Sequence, residues 1–276
     1  MDEKKIPALY VFLWILLSVL LISGTALMGW LYYLHVRDLR INDEQYNIVA
    51  IVQKNAQNEA LKTMYLAQLL DLSLDQPVSI YTFDEKEGEK KLTSSPLIKK
   101  ASIKKIRPGT LYIDYQIRTP MAYLGNYTNT AMDQEGYLFS FQPFFTPKAL
   151  PAIYMSDEER EIKWGTCLKT HREFKLALKV LHTLQNLLKY NLIIKQINVS
   201  QAFSQNYGER QLIVVLAEQD YLSSTEYVTY LRLNPDHFLQ NLENYMTLKL
   251  RMSKDKKLNQ TIDFRIPQLA FIKNNV

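Results

Sequence analysis

The sequence predicts an α+β protein in three successive parts: one membrane-spanning helix, a small β-α-α-β-β unit, and a β-rich domain with two helices. Three observations predict it. Residues 6–36 contain no Asp, Glu, Lys or Arg. Two alternating runs meet at Pro108-Gly109, the pattern of a β-hairpin. Beyond residue 120 short strand-like runs dominate, and two segments with helical spacing interrupt them.

The anchor comes first. Its densest apolar part, Ala8 to Trp30, exceeds the ~20 residues that cross a bilayer, and Trp30, Tyr32 and Tyr33 place amphipathic rings near one end. A cleavable signal peptide, with Gly24-Thr25-Ala26 as its small-residue site, would end its apolar region after roughly 7 to 15 residues, so a retained helix over 7–36 is the better fit. Lys4 and Lys5 on one side face Arg37 and Arg40 on the other, so charge leaves the orientation open. A tail (1–6) and a polar linker (37–45) flank the span.

Ile48 to Val52 reads as a strand. A helix then opens at Asn58-Glu59, with Leu61, Tyr65, Leu69 and Leu72 as its apolar stripe. Phe83 to Leu92 reads as a short charged helix interrupted by Gly88. In the hairpin, the run Ile98 to Ile106 alternates imperfectly, whereas Leu111, Ile113, Tyr115 and Ile117 share one face at period two. Two helices over one face of a three-stranded sheet make a compact unit for 46–119, with little surface left for a cleft.

The domain at 120–276 begins with strands at Met121 to Leu124, Ala131-Met132 and Tyr137 to Phe141, the last two joined by a turn at Asp133 to Gly136. Phe139, Phe141, Phe144 and Phe145 read as core, and Pro143, Pro147 and Pro151 as a loop. A helix from Thr170 turns Phe174, Leu178, Leu181, Leu184 and Leu188 inward. Strands follow at Leu192 to Val199, Gln211 to Glu218 and Tyr227 to Leu233, and the middle one is apolar on both faces, so it should be central. Asn234-Pro235 reads as an N-cap and first helical position, with Phe238, Leu242, Tyr245 and Met246 facing inward. Ile262, Phe264 and Ile266 alternate with Thr261, Asp263 and Arg265, and Leu269 to Lys273 can return as a last strand. Such a strand at a sheet edge is a template for strand addition by another chain.

Composition narrows the chemistry. The net charge is +5 and the lysines gather at residues 86–105, but Glu85, Glu87 and Glu89 are interleaved with them and no nucleic-acid motif is present. With eight glycines and neither GxGxxG nor GxxxxGK[ST], nucleotide chemistry is not expected. The single cysteine, Cys167, rules out an internal disulfide framework. Cys167 and His171 are spaced to share a helix face, yet two ligands do not make a metal site. No GxSxG or HExxH pattern occurs, and Glu158-Glu159 sits in a charged run. The expectation is therefore no catalytic residues, no cofactor and no metal. Glycosylation-type triplets begin at Asn126, Asn198 and Asn259.

Leu92-x3-Pro96-x-Ile98-x2-Ala101-x-Ile103, then Pro108-x-Thr110-Leu111-x-Ile113 and Arg118-x-Pro120-x-Ala122, resembles the POTRA domain of the FtsQ/DivIB family of bacterial division proteins. Asp133-x-Glu135-Gly136-x-Leu138-Phe139, Leu150-Pro151 and Asp263-Phe264-Arg265-Ile266-Pro267 extend the similarity into the second domain. The chain departs from the family pattern at Ile117, where Glu is usual, at Ile266 and Asn274, where aromatics are usual, and at Leu269, where a turn glycine is usual.

The resemblance implies a non-enzymatic scaffold in the bacterial inner membrane at the division septum, with its N-terminus cytoplasmic and both domains outside. It implies partners of the FtsB/DivIC and FtsL kinds, an indirect link to the septal wall synthase complex, and neither nucleic acid nor a small-molecule substrate. Carried onto this chain, the partner edge falls on Arg265, Ile266, Gln268, Leu269, Ala270, Phe271, Ile272 and Lys273. Two other readings compete. One is a POTRA protein of envelope biogenesis or export, which repeated POTRA units or a C-terminal barrel would mark. The other is a membrane-anchored envelope enzyme, which a convergent polar cleft would mark.

Overall fold

The computed structural model describes residues 8–57, 59–73, 75–156, 163–187, 192–219, 225–251 and 259–274. It is a mixed α+β structure with one long apolar N-terminal helix and a β-rich body. Two compact units divide the chain, one built from residues 1–56, 60–92 and 101–115, the other from residues 57–59, 93–100 and 116–276.

The first unit starts with helix α1, Ala8–Asn42, which is long and apolar enough to cross a membrane. It continues six residues past Val36, through what the sequence suggested as linker, because Arg37 to Asn42 contain no glycine or proline to stop it. Asp43 ends it: its Oδ1 accepts the Gln45 N–H at 3.0 Å and starts a 3₁₀ turn at Glu44–Tyr46. Strand β1 then runs Ala50–Asn55, two residues later than expected.

Helix α2 is only Thr63–Leu69, and its inward side chains are Leu66 and, just beyond its end, Leu70. The expected stripe of Tyr65, Leu69 and Leu72 is half-buried, and Leu61 is buried from the segment before the helix. Seven residues fix a helix face by one i, i+4 pair, so the longer pattern across the turn at Leu70 and Asp71 misled the phase. Asn58 lies outside the described residues.

Helix α3, Glu85–Ser94, is capped by Asp84, whose Oδ1 accepts the Lys86 and Glu87 N–H groups. Its Gly88 has a packing reason, since a Cβ there would lie 2.7 Å from the Phe83 ring and 2.8 Å from Ile103. Strands β2, Ile98–Ile106, and β3, Thr110–Ile117, form the predicted hairpin. The sheet order is β1-β3-β2, with β1 parallel to β3 and Ala50 opposite Thr110. Leu111, Ile113, Tyr115 and Ile117 are all buried, as period two requires.

Among the described residues, the second unit is a sheet of nine strands over a helix-covered core. The short strands β4, Ala122–Leu124, β5, Thr130–Met132, and β6, Leu138–Ser140, form a meander whose turn carries Gly136 at φ 85°. Strand β7, Ala152–Tyr154, lies where only a loop was expected; it pairs parallel to both β4 and the later β8, Leu192–Asn198. Strands β9, Leu212–Gln219, and β10, Glu226–Leu233, continue the sheet antiparallel. β9 sits between β8 and β10, and its Val214 to Ala217 are buried, the central position its two apolar faces predicted.

Helices α4, Arg172–Leu187, and α5, Phe238–Arg251, contribute Phe174, Val180, Leu181, Leu184, Phe238, Leu242 and Tyr245 to the core. α4 starts two residues after the expected Thr170; Leu178 is only half-buried, Ala177 takes its place inside, and Leu188 lies outside the described residues. α5 starts at Phe238 rather than at Pro235, because the Asn234 side chain accepts the Asp236 N–H and closes a local turn instead of capping the helix.

Burial pushes the Tyr245 phenol up to about 12, against the Thr229 hydrogen bond and helped by the Glu218 charge. The full order of the sheet is completed by β11, Gln260–Asp263, and β12, Phe271–Asn274, as β12-β11-β10-β9-β8-β7-β4-β5-β6.

Candidate partner-binding edge

The strand-turn-strand from β11 to β12 is built outward from two buried anchors. Ile262 and Phe264 are buried, while Asp263 and Arg265 alternate with them and share the other face, as the DFR sequence dictates for extended backbone. β11 pairs parallel to β10, and the Phe264 N–H continues that pairing by donating to the Arg232 carbonyl at 2.8 Å. On the helix side, the buried Asn241 of α5 donates through Nδ2 to the Phe264 carbonyl at 3.2 Å and accepts the Asn234 N–H at 3.1 Å.

Asp263 is the electrostatic centre. The Arg265 guanidinium donates to both of its carboxylate oxygens, at 2.9–3.1 Å, and the Arg265 N–H donates to Oδ1 at 3.0 Å. Arg232 lies 3.4 Å away and itself donates to the Gln211 side-chain oxygen. Burial raises the Asp263 pKa, but the Arg265 hydrogen bonds and the charges of both arginines outweigh it and hold the carboxyl below its ordinary value.

Past this clamp the chain turns outward at Pro267-Gln268. Gln268 is left-handed at φ 65°, one residue before the Leu269 that stands where the family pattern has its turn glycine. β12 then begins at Phe271, two residues later than expected, and pairs antiparallel to β11 with Phe271 opposite Asp263 and Lys273 opposite Thr261.

Of the eight residues expected at the edge, Arg265 is half-buried and tied to Asp263. Ile266, Gln268, Leu269 and Ala270 form the turn, and Phe271, Ile272 and Lys273 lie in the strand. Ile266, Leu269, Phe271 and Ile272 are 51, 54, 56 and 45% exposed, and both faces of β12 are open.

Such an edge has a defined chemical capacity. In an antiparallel pair, alternate residues of β12 point their N–H and C=O groups away from β11, and among the described residues no strand pairs with that side. The edge is short and carries Lys273 with Pro267 nearby, features that discourage indiscriminate pairing while leaving four exposed apolar side chains for a fitted strand. Two grooves flank it. One, of about 560 Å³, runs between α5 and the turn and is lined by Asn244, Leu248, Arg251, Phe264 and Leu269. The other, of about 480 Å³, includes Tyr207, Arg210, Arg265 and Phe271.

Asp263, Arg232 and Asn241 were not anticipated as part of this site. An opposite-charge pair two residues apart on one strand was the available signal for the first; Arg232 and Asn241 arrive only through tertiary structure.

The metal-ligand geometry considered from sequence does not form. Cys167 is bridged to Tyr137 and His171 precedes α4, so they share no helix face. Asn126, Asn198 and Asn259 each use the side-chain oxygen to accept a backbone N–H. Glu158 and Glu159 lie outside the described residues. No model of a known protein family matches the chain, and no curated protein matches it.

Proposed function

We propose that this chain is a non-enzymatic, single-pass membrane scaffold of the FtsQ/DivIB kind, which takes up a strand of a small coiled-coil division protein along β12. In this reading α1 holds the protein in the inner membrane and the rest works outside it. Partners of the FtsB/DivIC and FtsL kinds then connect it to septal peptidoglycan synthesis. The observation that carries the proposal is the exposed β12 edge, held in place by the Asp263–Arg265 clamp and flanked by two grooves. The sequence resemblance and the long apolar N-terminal helix agree with it.

Proline scanning tests the edge. Phe271 and Ile272 are adjacent, so their N–H groups point to opposite sides of the strand: one toward β11, the other toward an added strand. Both Phe271→Pro and Ile272→Pro should weaken pull-down of the coiled-coil partner, by about tenfold or more, while the first unit keeps its folded circular-dichroism signal. Unchanged binding by both folded variants removes the edge assignment. Septal enrichment of the chain, fluorescently tagged at its N-terminus in dividing cells, tests the division role; a uniform envelope signal overturns it.

A further inference from the structure

The hairpin between β2 and β3 ends in a tip, Lys104 to Pro108, in which every residue is exposed. Within the first unit this tip lies close along the chain path to the exit of α1. The Gly109 carbonyl accepts the Val49 and Ala50 N–H groups at 2.9 and 3.3 Å. A Cβ on Gly109 would collide with the Asn47 carbonyl oxygen at 2.0 Å, so the turn is seated directly on the segment that leaves the helix.

The register Ala50 opposite Thr110 makes the tip level with the first residue of β1. It therefore belongs to the end of the sheet at which the helix enters. If the hydrocarbon ends at Val36, the six helical residues Arg37 to Asn42 rise about 9 Å, against a headgroup layer of roughly 5–8 Å.

The composition at this end is that of a membrane interface. Ile106 and Val49 are 46 and 79% exposed, and Pro108 is exposed beside them. Lys104, Lys105 and Arg107 surround Ile106, and the Arg107 guanidinium lies 5.7 Å from the Tyr81 ring, which packs edge-on against Tyr46. Apolar side chains framed by cations and amphipathic rings suit the headgroup boundary.

Carboxylates are also present, and three of them are engaged by backbone donors. Asp43 accepts the Gln45 N–H, Asp84 the Lys86 and Glu87 N–H groups, and Glu85 the Lys105 N–H. Glu44 and Asp38 lie on the exit segment itself.

We infer that the Lys104–Pro108 tip rests on the anionic phospholipid headgroups of the bilayer that α1 spans, as a second membrane contact that fixes the tilt of the first unit. This rests on the membrane-anchored reading above.

The test uses the full chain with Cys167→Ser, reconstituted in lipid nanodiscs containing phosphatidylglycerol and a headgroup nitroxide quencher. A fluorophore sits at Ile106→Cys or, as control, at Met64→Cys, an exposed α2 position beside the far half of β1, where Thr63 and Gln53 hydrogen-bond.

Strong quenching at position 106 and little at 64 is the expected result. Replacing Lys104, Lys105 and Arg107 by Gln should lower the ratio of docked to undocked tip about fivefold per cation removed, and neutral lipid should do the same. Equal quenching at 106 and 64 in loaded discs overturns this inference alone. Quenching that ignores both the Gln variant and the neutral lipid overturns the assignment to anionic headgroups. A chain that never enters the discs overturns the anchored reading and the tip contact together.

Discussion

The two ends of the nine-stranded sheet solve the same problem in opposite ways. β6 and β12 are both edge strands of three or four residues, but all three residues of β6 are buried and all four of β12 are exposed. The outer side of β6 is covered by the segment around Gly165: the Leu138 N–H donates to the Thr166 carbonyl and the Gly165 N–H to the Leu138 carbonyl. The turn before β6 is locked as well. Asp133 accepts the Glu135 and Tyr137 N–H groups and pairs with Arg118 at 2.7 Å, with side chains only 8 and 11% exposed. Arg118 also lies 3.7 Å over the Tyr137 ring. One end of the sheet is closed by its own chain, and the other is presented, which makes the open end the place to look for a partner.

The contrast can be broken most strongly at the closed end. Phe139→Ala should destabilise the second unit by about 3–5 kcal/mol, whereas Phe271→Ala should change its stability by no more than about 0.5 kcal/mol while weakening partner capture. Urea unfolding of the two variants side by side measures the difference. A large loss from Phe271→Ala would mean that β12 is part of the core rather than a docking edge.

Arg118→Met comes next. It leaves the Asp133 carboxylate buried without its cation, and about 3 kcal/mol should disappear from the same unfolding curve.

A smaller effect separates the ends by pH. Asp263 is held below its ordinary pKa of 3.8, so its contribution is complete above that value and is lost as pH falls through the lower folded value. The melting-temperature gap between the wild type and Asp263→Asn should be constant near neutrality and shrink below about pH 4. A gap that does not narrow at all as the pH falls below about 4 would show that the clamp is not electrostatic.

The smallest expected change is a gain. Gln268→Gly removes a left-handed side-chain penalty and should stabilise the second unit by up to about 1 kcal/mol, read as a rise in melting temperature.

Legibility followed the length and regularity of each pattern. The hairpin strand with Leu111, Ile113, Tyr115 and Ile117 and the central strand with Val214 to Ala217 were readable because burial on one or both faces writes itself into five or more residues. β7 was not, since three residues directly after Pro151 are too few to carry a period. The α2 face was rotated because its true pair, Leu66 and Leu70, competes with equally apolar neighbours across a turn. The pattern alone starts α5 at Pro235 rather than Phe238, because an Asn-Pro pair encodes a tight turn as readily as a cap. At the candidate edge, alternation located Ile262, Phe264 and the returning strand. The brace from Asn241 reaches Phe264 across 23 positions and the clamp from Arg232 reaches Asp263 across 31, and only folding brings them together.

The openness of the sheet at β12 carries an obligation for whatever binds there. A strand laid against β12 becomes the tenth and turns its own far side to solvent, so the exposed edge is handed on rather than removed. Growth of the sheet must then be stopped by the newcomer: by shortness, by a charge or proline on its outer side, or by a helix folded back over it. A one-to-one complex is thus a property that the partner has to supply, and a partner segment stripped of that protection would convert a docking event into serial strand addition.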